Sequence, residues 1–501
     1  MKSNRKIKIL ILIILKILII FLPLFTNNLN FKNSEFSKNT YLDYDNLKIS
    51  KESGKIHIDD SNPSMNWSVA KNDGICTGNG TYSDPYIIED LVIDGGGSGD
   101  CILIENSDVY FRIENCTVYN TGFNVSSEST GIELNNTRNG MISDNNCSFS
   151  ENGIYLRYSD YNIIMRNNVS HNQFGVRLYY SDFTNVIENC VYDNYWGILA
   201  DGLFPYTSNN SISANIVKNN GIGITIDHSY YTNISENISN NNTQYGIFIS
   251  RSEYDNVLGN TVNHNTYGIF SLSSNNISIT GNIANNNIVS IYLLESKRNM
   301  VSGNIMHNCG LLIFGENEGH YFHDIDNLNL VNGKPFYYYS YKINLGPSDF
   351  TNAGQVILVN CNDSSISNLN TSFSSIGISL YYSNGINITN NVVNYNNLYG
   401  IHLYQSGYNI LSGNSVNNNS MYGIYLHQSN YNTISGNTLI GNKECIKEEY
   451  CQGNTFSDNG DCTYGQKNSV PLISGYDLIF LLGVLSVISI TVSKKLKNPK
   501  N

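Results

Sequence analysis

Asp201 and Asp227 occupy the same place in successive copies of a short sequence pattern, with Arg177 in the copy before and His228 directly after the second aspartate. If the copies stack as neighbouring parallel strands, the two carboxylates stand about 5 Å apart. That separation suits the acid and nucleophile of a retaining glycosidase, at about 5–5.5 Å, or a shared cation such as Ca2+. It does not suit an inverting pair, at about 6.5–9.5 Å. Asp201, Asp227, His228 and Arg177 are therefore the candidate catalytic group. A polysaccharide lyase would want more: several carboxylates for Ca2+ and a basic residue aimed at the sugar. A second group has the chemistry of recognition. Tyr155, Arg157, Tyr179, His402, Tyr404 and Tyr425 fall at equivalent positions along the chain, and flat rings with guanidinium donors suit a sugar chain.

Two aromatic columns lie beside these groups. Tyr161, Phe183, Tyr231, Tyr254, Tyr408 and Tyr431 each stand two residues after a repeated Ser, and Phe174, Trp196, Tyr245, Tyr267, Tyr399 and Tyr422 each precede a repeated Gly. Either column can seal a corner by ring stacking or offer a platform to sugar. His320-Tyr-Phe-His323-Asp-Ile-Asp326 has metal-ligand residue types but lies where the repeat is lost, which favours a loop. No Cys-x-x-Cys, phosphate-binding loop, dinucleotide fingerprint or Gly-x-Ser-x-Gly occurs, so no metal or other cofactor is expected.

These residues are positioned by a repeat, of which Gly423-Ile-Tyr-Leu-His-Gln-Ser-Asn-Tyr-Asn-Thr-Ile-Ser-Gly-Asn437 is one copy. Its Gly-Ile pair aligns with Gly131, Gly153, Gly175, Gly197, Gly223, Gly246, Gly268, Ser290, Gly377, Gly400 and Cys445 at neighbouring steps of 22 or 23 residues, with one step of 26 between Gly197 and Gly223. A period of this size signals a solenoid. Gly-Ile-x-Leu and Asn-x-Ile-x-Gly-Asn alternate apolar and polar residues, so each copy holds short strands and corners and no helix of useful length. The expected fold is all-β: a right-handed parallel β-helix of about 22-residue turns, with Ile and Leu inside and stacked Asn at the corners. The residues two and four places after the Gly then point away from the interior, and Ile56–Ile58, Trp67–Val69 and Tyr86–Ile88 read as the first strands.

The ends differ in kind. Lys2, Arg5, Lys6 and Lys8 precede an apolar run from Ile9 to Phe25, and Tyr476 to Val492 is apolar and followed by Lys494, Lys495, Lys497 and Lys500. The first reads as a signal peptide or anchor within 1–30, the second as a transmembrane helix over 475–493 with a basic cytoplasmic tail, 494–501. Linkers are expected at 31–54 and 461–474, an N-terminal cap at 55–100, and repeats over 101–460 with an irregular insertion at 314–356. This arrangement places the protein in the cell membrane with its β-helix outside. Acceptor triplets such as those at Asn66 and Asn233 could there carry glycan, and Cys445, Cys451 and Cys462 could supply one disulfide. A net charge of −12 with 37 Tyr does not look for nucleic acid. A polysaccharide or surface glycan is the expected partner, with the membrane engaged by the termini.

Gly78-Asn-Gly-Thr-Tyr-Ser-Asp-Pro-Tyr-Ile-Ile-Glu-Asp-Leu-Val-Ile-Asp94, the Gly-Ile-x-Leu and Asn-x-Ile-x-Gly-Asn turns, and the Asn329-Leu-Val-Asn-Gly-Lys-Pro-Phe-Tyr-Tyr-Tyr339 stretch resemble NosD-type β-helix proteins. The resemblance covers roughly residues 55–460. It implies the fold, shared with polysaccharide lyases and hydrolases, but no copper ligands in this chain. The C-terminal Pro471-Leu-Ile-Ser-Gly-Tyr-Asp477, apolar span and Lys tail resemble an archaeal surface-protein sorting tail. Two functions follow from these readings: a surface β-helix that binds carbohydrate or surface partners, or a polysaccharide lyase or glycoside hydrolase acting on its central turns.

Overall fold

Apolar residues at every second position of each short strand leave one face to bury, and stacking identical turns buries it continuously. The computed structural model describes residues 50–122, 129–202 and 207–460, and the proposed signal, membrane span and basic tail lie outside them. The described residues from Lys51 on form one compact unit.

Three parallel sheets run along the first stack. One has eleven strands from Ile56–Asp59 to Leu311–Phe314 and contains the Gly-Ile strands. A second has eleven, from Tyr86–Glu89 to Asp324–Ile325, and a third has eight, from Lys51–Glu52 to Ile238–Asn240. Pairing is in register from turn to turn, so that Val176 meets Ile198 and Ile198 meets Ile224. The residues one and three places after each Gly, such as Ile154, Leu156, Ile224 and Ile226, are fully buried inside.

Two residue types fix the turn-to-turn spacing. A Cβ on Gly175 would sit 2.6 Å from the carbonyl oxygen of Gly197, and Gly131, Gly197, Gly246 and Gly423 meet the next turn in the same way. A Cβ at these five glycines would need the next turn to shift, although Ser290 and Cys445 hold the equivalent place in other turns. The corners are held by buried Asn ladders. Asn167 accepts at Oδ1 from the backbone N–H of Asn145 (3.0 Å) and from its Nδ2 (3.0 Å), and its own Nδ2 donates to the Ile142 carbonyl at 2.9 Å. The pattern repeats through Asn189, Asn215, Asn237, Asn260, Asn282 and Asn304, so each buried amide is satisfied by its neighbours.

Two sequence expectations are corrected. Trp67–Asn72 is an α-helix, not a strand: Asn66 caps it, its side chain accepting from the Val69 N–H. Trp67 still closes the sheet end, stacked on Tyr86 at 4.9 Å and donating to Ser107 Oγ. The second correction concerns continuity. Leu330–Val331 pairs antiparallel with the start of Lys334–Ser340 across Asn332-Gly333, both at positive φ (53° and 74°), as a two-residue hairpin turn needs. Strand direction reverses there. A second stack follows, in which Lys334–Ser340, Gln355–Val359, Ile376–Tyr381, Tyr399–Tyr404, Tyr422–His427 and Glu444–Glu449 pair in parallel. It has its own core, including Leu358, Ile378, Ile401 and Ile424. The second stack leans on the first: Asn397 Nδ2 donates to the carbonyls of Asn287 and Asn308, and Gln355 Nε2 to that of Leu311.

Candidate functional site

The sheet that carries the Gly-Ile strands presents its outer face through the residues two and four places after each Gly. Asp201 and Asp227 are direct partners across adjacent strands, as the repeat phase requires. Both are buried. Asp201 pairs with Arg177 at 3.4 Å, and the Arg177 guanidinium lies 5.1, 4.9 and 5.3 Å from the rings of Tyr155, Phe174 and Tyr179. Asp227 holds Arg251 through both oxygens, at 2.9 and 3.0 Å, and stands 3.2 Å from His228 Nδ1. Burial pushes the Asp227 carboxyl up, but the His228 hydrogen bond and the Arg251 charge outweigh it, leaving the group below its ordinary value. The arrangement is two carboxylates, each matched to its own guanidinium, on a face shielded by rings. Arg251 stands one place beyond the outward position of its turn, as His228 does in the turn before, but only His228 is in the candidate catalytic group.

The expectation that Tyr155, His402, Tyr404 and Tyr425 offer ring faces to solvent is corrected by their burial. Pointing away from the β-helix interior is not the same as exposure. Rings before the Gly and rings two places after it interleave into one outer cluster: Tyr245 stacks on Phe248 and Phe270 at 4.9 and 5.1 Å, and Phe270 on Tyr292 at 5.0 Å. In the second stack His402 stacks on Tyr425 at 5.1 Å, and Tyr399 on Tyr422 at 5.2 Å. One apolar cluster joins Tyr245, Tyr267 and Tyr292 of the first stack to Tyr399, Tyr422 and Tyr425 of the second. The column preceding the Gly therefore packs. Arg157 and Tyr179 are half-buried.

The other column is exposed. Tyr161 is 53% exposed and Tyr408 67%, and Phe183, Tyr231, Tyr254 and Tyr431 are exposed with them. Their rings stack in pairs: Tyr161–Phe183 at 4.8 Å and 1°, Tyr231–Tyr254 at 5.5 Å, Tyr408–Tyr431 at 5.2 Å. Tyr158 and Tyr180, at the neighbouring corner, stack at 5.4 Å and 7°. All these residues have φ between 49° and 60°. That conformation costs an ordinary side chain about 1–2 kcal/mol, which Asn largely escapes, whereas a stacked pair returns about 0.5–1.5 kcal/mol. The exposed rings thus add little to stability over the Asn found at the same corner in Asn139, Asn209 and Asn276.

Two hollows adjoin the stacks. One, of about 430 Å3, is lined by Ser208, Asn209, Tyr230 and Tyr231. The other, of about 850 Å3, lies at the seam between the stacks, with Asn241, Thr243, His264, Thr266 and Asn286 on one side and Asn397 and Ser420 on the other.

The His320–Asp326 segment does not converge on a metal. His323 Nε2 is 3.0 Å from the His320 carbonyl and its Nδ1 accepts from the Asn299 N–H, while Asp326 is held by Ser302 and Asn329. Among the described residues no group of three or more His, Cys, Asp or Glu could hold an ion. Cys445 and Cys451 are free thiols. Cys451 Sγ takes the corner role of the repeated Ser, bonded to the Leu426 and Glu449 carbonyls, and Cys462 lies outside the described residues.

Stacked parallel sheets, Asn ladders and in-register turns define a parallel β-helix protein. Residues 53–222 match the model of the right handed beta helix region, and residues 200–323 and 341–465 match the model named NosD, periplasmic copper-binding protein. The chain belongs to the right-handed parallel β-helix proteins of NosD type. Among the described residues no cluster of His, Cys, Asp or Glu fits copper. No curated protein matches the chain. Among solved structures it is similar to the enzymatically active domain of bacteriophage CBA120 tailspike protein 2 (19% identity, TM-score 0.36, covering 49% of this chain and 43% of that one). It is also similar to the A-module of a mannuronan C-5 epimerase of Azotobacter vinelandii (13%, 0.31, 70% and 89%) and to a periplasmic alginate epimerase (14%, 0.27, 75% and 78%). The chain thus spans less than half the length of the tailspike domain.

Proposed function

We propose that this protein is a surface β-helix, held at the cell membrane by its termini with the repeats outside, that binds polysaccharide through the exposed ring column. The observation that carries the reading is the set of stacked rings at Tyr161–Phe183, Tyr231–Tyr254 and Tyr408–Tyr431, exposed at corners where Asn would fold at least as well. Rings stacked in pairs on adjacent turns, 4.8–5.5 Å apart, offer a chain of sugars rigid aromatic surfaces at several points along the stacks. The two basic-flanked apolar ends of the sequence support the placement.

The lyase or glycosidase reading, with Asp201, Asp227, His228 and Arg177, is less well supported. A general acid must hold a proton near working pH, and Asp227 is held below its ordinary value. Its partner Asp201 is engaged by Arg177.

The full-length protein is tested for retention on a panel of insoluble and soluble polysaccharides, with new reducing or unsaturated ends measured in the same samples. Retention without new ends is expected, and replacing Tyr161, Tyr231 and Tyr408 by Ala together should weaken retention at least tenfold with little change in melting temperature. New ends lost in the Asp227→Asn variant would favour the enzyme instead.

A further inference from the structure

The exposed column has a missing rung. Tyr161, Phe183, Asn209, Tyr231 and Tyr254 occupy the same corner of five successive turns, and Asn209 alone among them lacks a ring. The rung is otherwise regular. The Phe183 N–H donates to the Ser208 carbonyl at 3.2 Å and the Asn209 N–H to that of Tyr230 at 3.0 Å, and Ser208 pairs with Tyr230 in the adjacent strand. The backbone therefore continues through the corner while the side chain stops short. Beside this corner lies the hollow of about 430 Å3 lined by Ser208, Asn209, Tyr230 and Tyr231, a volume within the range of small-ligand sites.

The vacant place in the ring column, which opens on this hollow at Asn209 and Tyr231, has its height set by the fold. Phe183 and Tyr231 belong to turns on either side of Asn209, so two rungs of about 4.8 Å separate their positions. One flat ring fits such a gap, and the column shows the spacing it would adopt: Tyr161 and Phe183 stack at 4.8 Å with planes 1° apart. Among the described residues the lining is uncharged. Ser208 and Asn209 bring a hydroxyl and an amide to the rim, Asn209 is exposed, and the Asp182 carboxylate beside them is engaged by the Ser208 N–H at 2.7 Å. Stacking surfaces with neutral hydrogen-bonding groups at the edge fit a pyranose with an apolar C–H face, and an acidic sugar gains no cation from these four residues.

We propose that the Asn209 rung is a binding slot for one uncharged pyranose unit of a polysaccharide, stacked on Tyr231 and hydrogen-bonded by Ser208 and Asn209. The proposal rests on the carbohydrate reading above and names its subsite.

The test fills the slot with the residue its neighbours already carry. Asn209→Tyr completes the column at a corner where tyrosine adopts the same φ in Tyr231 and Tyr254, so folding should be kept, and the melting temperature verifies it. Binding of cellohexaose and of a hexamer of mannuronic acid to the full-length protein is measured by titration calorimetry. Cellohexaose should bind the parent and lose at least tenfold in Asn209→Tyr and in Tyr231→Ala, while Tyr395→Ala, at an exposed ring of the second stack outside the column, leaves it within twofold. Unchanged binding in a folded Asn209→Tyr alongside a loss in Tyr161→Ala would overturn the slot and leave the column as the binding surface. Preference for the acidic hexamer would overturn the choice of a neutral sugar; no binding of either by a protein still retained on the polysaccharide panel would overturn the slot alone, and no retention on the panel would overturn the carbohydrate reading with it.

Discussion

Replacing Asp255 by Asn should make the protein more stable above neutral pH and leave it unchanged in acid. Asp255 stands at a corner where the adjacent turns carry Thr232 and Ile277 and the turns beyond them carry Asn: Asn210 Nδ2 donates to the Ser181 carbonyl and Asn299 Nδ2 to that of Ser274, each one turn back. Asp255 keeps half of this arrangement, its Oδ1 accepting from the Thr232 N–H at 2.7 Å and from Ser229 Oγ at 3.4 Å. Its Oδ2, buried and without a hydrogen-bond donor, takes the place of the amide nitrogen, which in Asn210 and Asn299 points at a carbonyl. Only a protonated carboxyl can donate there. Burial accordingly pushes Asp255 from 3.8 up to about 7, against the lowering effect of the Thr232 and Ser229 hydrogen bonds. Between those pH values the folded chain holds a proton that the unfolded chain has released. Stability is therefore complete below 3.8, falls as pH rises toward 7, and is level beyond it. At about 1.4 kcal/mol per pH unit the loss is on the order of 4 kcal/mol. Asn supplies the donor at every pH. Melting curves of parent and Asp255→Asn from about pH 4 to 9 should coincide at the acid end and separate by several degrees at about pH 8. A constant difference across the range, or a less stable variant at the alkaline end, would refute the protonated-rung argument.

On the acid side the opposite sign applies to His402 and His323, which burial lowers from 6.5 to about 3 and about 4. Their stabilisation is present above 6.5 and lost as pH falls through that window, so His402→Phe should flatten the fall in melting temperature between about pH 6.5 and 4. Gly175→Ala, with its Cβ 2.6 Å from the Gly197 carbonyl oxygen, should cost about 1–3 kcal/mol by denaturant titration. Ile401→Asp buries a charge at a fully buried site and should cost several kcal/mol; equal stability would mean the strand phase is misassigned. Protease added to intact cells should digest the repeats and spare an epitope placed after Lys500.

The period of the fold was legible because ladders demand like residues at like positions: Gly175 beneath Gly197 and Asn167 beneath Asn189 cannot drift in sequence without a clash or an unpaired amide. The helix at Trp67–Asn72 was hidden because six residues carry less than two turns of periodicity, although Asn66 was a readable cap. The reversal at Asn332-Gly333 also left a local signal, but one dipeptide in an Asn- and Gly-rich chain does not stand out. The largest miss concerns the site. Alternation told that Tyr425 and His402 leave the β-helix interior, but whether a second layer then covers them depends on how the two stacks meet, which no pattern within one turn encodes. The exposed column was visible as a repeated aromatic, while its gap at Asn209 acquires meaning only once the turns are stacked.

The Asn ladders bear on how such a chain can change length. Because Asn391 meets Asn414 through the same bonds by which Asn414 meets Asn437, the surfaces above and below a turn are interchangeable. Excising the 23 residues from Gly400 to Tyr422 would bring Asn391 onto Asn437 with every corner still matched. Length is then a quantity that recombination can alter in whole steps of about 4.8 Å, and a ring track of any reach can be built without redesigning a single joint.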